Sequence, residues 1–232
     1  MSAMNEKSAA LVRRAWPRQL TFLLFVAALL FAPAGTLRDW QAWLFLIVFV
    51  TGTLLVGFYF LRHDPALVER RMSVGPAAEG EPAQKVIVAL LMTGFLLLLV
   101  VPGFDRRWHW STVPPGLSLL AEAGVAASFY FFFVVMKQNG YAASTVRVEA
   151  GQPVIFSGLY AVVRHPMYAA ALLLSVFVPL ALASYWSLLV LLLLVPTLVW
   201  RLLDEERFLS RALPGYDDYR RKTRWRLIPR VW

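Results

Sequence analysis

The sequence predicts an all-α, polytopic integral membrane protein, and three observations predict it. The chain of 232 residues is 59% apolar and 16% charged, with a mean hydropathy of +0.60. Charged residues make up about a quarter of a soluble domain, so this composition suits lipid rather than water as solvent. Apolar stretches of about 20 residues recur, each long enough as a helix to cross a hydrocarbon core of about 30 Å. The net charge is +9, and the 23 basic residues fall unevenly between those stretches.

The first stretch covers residues 20–37. Lys7, Arg13, Arg14 and Arg18 precede it, and Ala32-Pro33-Ala34 imitates a cleavage site, which is the pattern of a signal peptide. The spans that follow at once favour a retained helix. Residues 40–61, 86–104 and 117–136 form the second, third and fourth spans. The next apolar stretch, 167–200, is too long for one simple crossing. It contains Pro179 and a polar break, Ser184-Tyr185-Trp186-Ser187, suited to a tight turn between two helices.

Charge decides between one crossing and a hairpin. With the N-terminus inside, 20 basic residues lie on the cytoplasmic side and three, Arg38, Arg106 and Arg107, lie outside. The positive-inside rule prefers that orientation. A single long helix would carry the basic tail to the wrong side. The expected architecture is therefore about six membrane-embedded helices, the last two a hairpin, with both termini cytoplasmic and a cytoplasmic C-terminal helical segment. Five spans result if the hairpin only re-enters. The chain divides into a four-helix transmembrane region (1–136) and a second region (137–232), and the expected location is a bacterial inner membrane.

Composition also excludes chemistries. The chain has no cysteine, which removes disulfides, thiolate zinc sites, iron–sulfur clusters and cysteine nucleophiles. His63, His109 and His165 stand too far apart for a helical metal pair, so no metal site is expected. The tail Tyr219-Arg220-Arg221-Lys222-Thr223-Arg224-Trp225-Arg226 interleaves basic and aromatic residues, as nucleic-acid binders do. Its place beside the membrane favours anionic lipid headgroups, and no nucleic acid partner is expected. Glu122 is an intramembrane carboxylate, a functional candidate by default. It lies about a turn and a half inside the outer edge, so snorkelling to the interface is the favoured expectation. The aromatic run from Phe129 to Phe133 reads as lipid-facing and packing surface, or as the lining of a route for an apolar substrate.

Two polar stretches stand apart from the spans. Residues 137–168 carry turn signals at Asn139-Gly140, Gly151-Gln152-Pro153 and Ser157-Gly158, then Arg164-His165 before Pro166. Proline suits a first helical turn, so a helix begins there, and its N–H groups and dipole would attract an anion. An ordinary headgroup-level loop is the plain alternative. The second stretch holds Asp204-Glu205-Glu206 and Leu213-Pro214-Gly215-Tyr216-Asp217-Asp218-Tyr219. Its three successive carboxylates call for cations; Arg164 and Arg201 are brought near by the hairpin. A solvated helix face would explain them alone.

Together these stretches resemble a known family. The order Ser157-Gly158-Leu159-Tyr160, Arg164-His165-Pro166-Met167-Tyr168, an apolar hairpin, Glu205-Glu206, then Gly215-Tyr216 and Tyr219 resembles the isoprenylcysteine carboxyl methyltransferase family. Its superfamily includes membrane phospholipid N-methyltransferases. The resemblance covers residues 139–229 and is specific for the superfamily rather than the substrate. It implies an integral membrane methyltransferase that passes a methyl group from S-adenosylmethionine, leaving S-adenosylhomocysteine, to a lipophilic acceptor entering from the bilayer. The acceptor group would be a carboxylate or an amine. The resemblance suggests Arg164 and His165 for the cofactor carboxylate, and charge suits Glu205 and Glu206 to its ammonium. Tyr160, Tyr168, Tyr216 and Tyr219 would pack on the adenosyl part, and Asn139, Gln152, Gly158 and Pro166 complete the implied set. Arg224, Arg226 and Asp218 in the tail are the implied acceptor-orienting residues. Methyl transfer from a sulfonium needs alignment and exclusion of water rather than a covalent intermediate.

Departures narrow the reading. Prenylcysteine methyltransferases usually carry Gly-His where this chain has Gly151-Gln152, proline where it has Leu159, and glycine where it has Ala169-Ala170. These changes weigh against a prenylcysteine substrate. A membrane reductase of the steroid-reductase type, using NADPH, shares the Arg-His-Pro-x-Tyr string. It typically has asparagine before that tyrosine and glutamate three residues after, where this chain has Met167 and Ala171. A non-catalytic transport or assembly protein is the third reading. Against it, polar residues gather at one membrane face and no inverted repeat is visible.

Overall fold

A computed structural model describes residues 2–72, 74–142, 144–149 and 151–232, without the side chains of 2–12, 14 and 15. The side chains of Lys7 and Arg14, counted above, lie outside the described residues. The protein is all-helical: α1 (Ser2–Ala34), α2 (Trp40–His63), α3 (Pro65–Met72), α4 (Pro82–Trp108), α5 (Pro115–Gln138), α6 (Leu159–Val162), α7 (Pro166–Ala181), α8 (Leu191–Ala212) and α9 (Tyr216–Lys222). A 3₁₀ turn at Trp186–Val190 leads into α8. Five segments are long and apolar enough to cross a membrane: Trp16–Ala34, Trp40–His63, Pro82–Trp108, Pro115–Gln138 and Trp186–Ala212. The sixth expected embedded helix, α7, has 16 residues, about 24 Å, and is shorter than a hydrocarbon core.

The polar break expected to turn the hairpin does so. Ala183 takes a left-handed φ of 55°, and the Ser184 N–H donates to the Pro179 carbonyl at 2.8 Å. Ser184 and Ser187 are fully buried, so their hydroxyls need partners. Ser184 Oγ donates to Asp105 near the end of α4 at 2.5 Å, and Ser187 Oγ donates to the Leu98 carbonyl at 3.3 Å. Asp105 also accepts from the Ser111 N–H at 2.7 Å and hydroxyl at 2.6 Å. The hairpin tip is thus fastened to α4.

The core runs through Val26, Leu30, Phe45, Phe49, Leu98, Leu99, Val125, Val178 and Leu194. Lipid is as apolar as these side chains, so close fit rather than expulsion from water holds the helices together. Small residues permit that fit: Gly52 lies under the Phe129 ring and Gly124 under the Phe177 ring. The aromatic run divides accordingly. Phe129 meets Phe49 edge-on at 5.4 Å and Phe133 meets Tyr59 at 4.8 Å, both inside the bundle, while Tyr130 is exposed.

Glu122 departs from expectation. It is 5% exposed, and neither carboxylate oxygen has a hydrogen-bond partner. The cause is helical phase. Ser118, Ala121, Glu122, Val125 and Ser128, spaced three and four apart, form the buried stripe of α5, so Glu122 is directed into the bundle instead of snorkelling.

A Cβ on Gly124 would stand 2.5 Å from the Phe177 ring, and a ring held in a packed core cannot yield. Gly124→Leu is expected to separate α5 from α7 and lower stability by about 3 kcal/mol or more. Thermal unfolding in detergent checks it, with Gly116→Leu, at an open position, as the control expected to change little.

Candidate active site

Both polar stretches converge at the end of the bundle that holds the C-terminus of α5 and the start of α7. Gly158 has φ +60°, and a Cβ there would fall 2.6 Å from the Gln138 side chain, so glycine alone fits. Gln138 Oε1 accepts the Leu159 N–H at 2.8 Å. A proline at 159 has no such donor, which gives the departure at this position a structural use. The turn feeds α6, which places Tyr160. Asn139 Nδ2 donates to the Tyr160 hydroxyl at 3.0 Å, and the Tyr219 hydroxyl donates to the Tyr160 carbonyl at 2.7 Å. Burial, above all, pushes the Tyr160 phenol up to about 12, partly offset by the Asn139 bond. Burial likewise raises Tyr216 and Tyr219.

Arg164 and His165 are gripped by the C-terminal segment. Their N–H groups donate to the Trp225 and Arg226 carbonyls, each at 2.9 Å. Arg164 Nη1 donates to the Thr223 carbonyl at 2.9 Å and the Arg224 carbonyl at 3.1 Å. Glu206, on α8, is the centre of this arrangement. Its carboxylate accepts Arg164 Nε at 2.6 Å and Arg226 Nε at 3.1 Å, and lies 3.3 Å from His165 Nε2. The Glu206 side chain is 4% exposed and that of Arg164 6%.

A second network starts from Glu205, which accepts the Tyr168 hydroxyl. That hydroxyl accepts Arg201 Nε at 3.2 Å. Arg201 also reaches Gln84 Oε1 at 2.7 Å, the Ser144 carbonyl at 3.1 Å and Glu79 at 2.9 Å. Gln84 in turn donates to Asp204. The loop after α5 is fixed from α3: Arg70 binds Glu149 at 3.0 Å and the Gly140 carbonyl at 2.9 Å, and Arg71 binds the Ala142 carbonyl at 3.1 Å. The hydrogen bond from Arg70 holds the Glu149 carboxyl below its usual range.

Between these networks lies a polar cavity. Of the residues implied by sequence, Asn139, Gln152, Tyr160, Arg164, His165, Tyr168, Glu205, Tyr216 and Tyr219 line it. Gly158, Pro166 and Glu206 do not. Glu206 lies off the cavity: Arg164 and Arg226 donate to its oxygens and His165 lies against them, so it organises the site's wall instead of facing a ligand. Gly158 shapes the turn, and Pro166 is the first residue of α7. The tail residues named for the acceptor are placed elsewhere. Asp218 pairs with Arg221 on the exposed side of α9, Arg224 is exposed, and Arg226 is committed to Glu206. Sequence reasoning missed Glu79, Gln84 and Arg70. They sit on α3, α4 and the connection between them, and nothing local signals a partner across more than 60 residues.

A bundle of spanning helices with a polar cavity and its networks at one end defines an integral membrane protein. Residues 120–211 match the model of the Isoprenylcysteine carboxyl methyltransferase (ICMT) family, and this match supports membership of that family. The protein is thus an integral membrane protein, part of which is similar to a methyltransferase family. The match begins within α5, earlier than the resemblance noted above, and stops before α9. No curated protein matches the chain closely enough to count as a relative.

Removing one member of a buried, hydrogen-bonded ion pair costs about 3 to 5 kcal/mol. Glu206→Ala is expected to free residues 223–232 from Arg164 and His165. Trypsin should then cut at Lys222, Arg224 and Arg226 at least tenfold faster while the helical circular dichroism is retained.

Proposed function

We propose that the protein transfers a methyl group from S-adenosylmethionine to a lipophilic acceptor, a carboxylate or an amine, that reaches the cavity from the bilayer. The observation that carries this is the cavity's unused hydrogen-bonding capacity. The Tyr216 hydroxyl is buried without a partner, and its residue lines the cavity. Glu205 uses one oxygen for Tyr168, leaving Oε1 over. Arg164 uses Nε and Nη1, leaving Nη2 over. A carboxylate acceptor and cationic and hydroxyl donors in one cavity fit the ammonium and carboxylate of an amino-acid moiety. The apolar Val154, Leu209 and Leu213, with Tyr160, offer flat surface for an adenosyl group.

Bound there, S-adenosylmethionine supplies a methyl group on a sulfonium, ready for in-line displacement. The chain's own work is positioning. Glu205 and Arg164 orient the amino-acid end, while the Arg70-fastened loop and the C-terminal segment close the cavity against water. A carboxylate acceptor needs no base, since it is already nucleophilic. The basic residues flanking the spans support a cytoplasmic location for this end of the bundle and both termini.

Calorimetry on purified protein with S-adenosylmethionine, S-adenosylhomocysteine and NADPH tests the reading. The expected result is binding of the first two alone, weakened about tenfold by Glu205→Gln and by Tyr216→Phe. Binding of NADPH alone would replace the proposal with the reductase reading, and binding of none with a non-catalytic one.

A further inference from the structure

Arg201, on α8, is a buried cation that stands behind the wall of the candidate active site. It lines neither that cavity nor the one of about 230 Å³ at the opposite end of the bundle, between the loop before α2, the end of α4 and the hairpin tip. All three of its guanidinium nitrogens are nevertheless engaged. Nη2 lies 2.9 Å from Glu79 Oε1 and donates to the Ser144 carbonyl at 3.1 Å. Nη1 donates to Gln84 Oε1 at 2.7 Å, and Nε donates to the Tyr168 hydroxyl at 3.2 Å. Glu79 and Gln84 are buried as well. A buried ion pair is weak evidence for stability, because apolar side chains of similar volume often serve equally. What this pair fixes is geometry.

The first thing fixed is a proton. A guanidinium donates hydrogen bonds and does not accept them. The Tyr168 hydroxyl accepts Arg201 Nε, so its own hydrogen is turned away from Arg201 and goes to Glu205 Oε2. Tyr168 and Glu205 both line the cavity. Their bond occupies Oε2 and limits rotation of the carboxylate, which holds Oε1 in one place. Without Arg201 nothing orients the hydroxyl, and the carboxylate loses its fixed setting.

The same ion pair reaches the loop after α5. The Ser144 carbonyl accepts from Arg201, and the Val146 N–H donates to Glu79 Oε2 at 3.2 Å. Thr145 and Val146 line the cavity. Arg201 and Glu79 thus hold Tyr168 on α7, Glu205 on α8 and residues 144–146 in a fixed relation without entering the cavity themselves.

We infer that Arg201 is a positioning residue for the ammonium end of the ligand. Through Tyr168 it keeps Glu205 in the orientation a primary ammonium requires, and so makes the cavity select for ligands that carry one. This rests on the reading above, in which Glu205 meets the ammonium of S-adenosylmethionine. An arginine that only supported the fold would, when replaced, weaken every ligand alike. One that positions Glu205 weakens only the ligands bearing an ammonium.

Calorimetry with S-adenosylhomocysteine and its des-amino analogue, which lacks only the ammonium, separates these two roles. The unaltered protein should bind S-adenosylhomocysteine at least tenfold more tightly than the analogue. Tyr168→Phe leaves the Arg201–Glu79 pair in place and should cost about tenfold in affinity for S-adenosylhomocysteine and nothing for the analogue. Arg201→Met combined with Glu79→Gln leaves neither charge buried alone and should have the same selective effect. Adding Tyr168→Phe to that pair should cost no more, because all three substitutions break one connection. Arg201→Lys, the gentler variant, keeps a cation beside Glu79 but loses the planar fork, and should also lower the preference. Equal binding of both ligands by the unaltered protein overturns the inference. So does a preference that survives Tyr168→Phe and Arg201→Lys, or a loss shared equally by both ligands; in these cases binding of S-adenosylhomocysteine keeps the methyl-donor reading intact. Failure of the unaltered protein to bind S-adenosylhomocysteine overturns both.

Discussion

One buried carboxylate organises the candidate active site. Glu206 gathers Arg164, His165 and Arg226 from two segments that are remote in sequence. Desolvating charges is expensive, and here the cost is met by donors on each side of the carboxylate. Because the same contacts hold residues 223–232 against the start of α7, the cavity wall and the chain's last segment are a single mechanical unit. Tyr160, through Tyr219, and Glu205, its neighbour on α8, take their positions from that unit.

The fold was legible in the sequence where lipid imposes a length. Every span and the polar break at Ser184–Ser187 follow from the rule that a helix must cover the hydrocarbon and a turn must be satisfied. The candidate site was legible in part. Tyr168, Glu205, Arg164 and Tyr216 stand out as polar residues beside apolar spans, and all four line the cavity. Which carboxylate faces the cavity was not legible. Glu205 and Glu206 are adjacent, and a 100° step on the helix sends one to the cavity and the other to the wall. Glu122 failed for the same reason: its distance from the membrane edge was readable, but its helical phase depended on α7. Gln84, at the start of α4, and Glu79, just before it, contact Arg201 on α8, a pairing with no local trace.

The two ends of the bundle use polar groups differently. At the active-site end charges are paired in networks, and a few atoms remain over for a ligand. At the opposite end Asp105 is saturated and acts as a fastening, while Asp39 caps α2 and pairs with Arg106.

Helix α7 begins beside one cavity, where His165, Met167 and Tyr168 line the wall, and ends beside the other, at Leu182 and Ala183. At about 24 Å it is shorter than the hydrocarbon layer that the longer helices traverse. No residue of α7 is exposed, so neighbouring helices rather than lipid surround it, and its length sets the distance between the two ends of the bundle. A short inner helix held on all sides acts as a spacer, so a change in its length would move the wall that carries Tyr168 relative to the fastened hairpin tip.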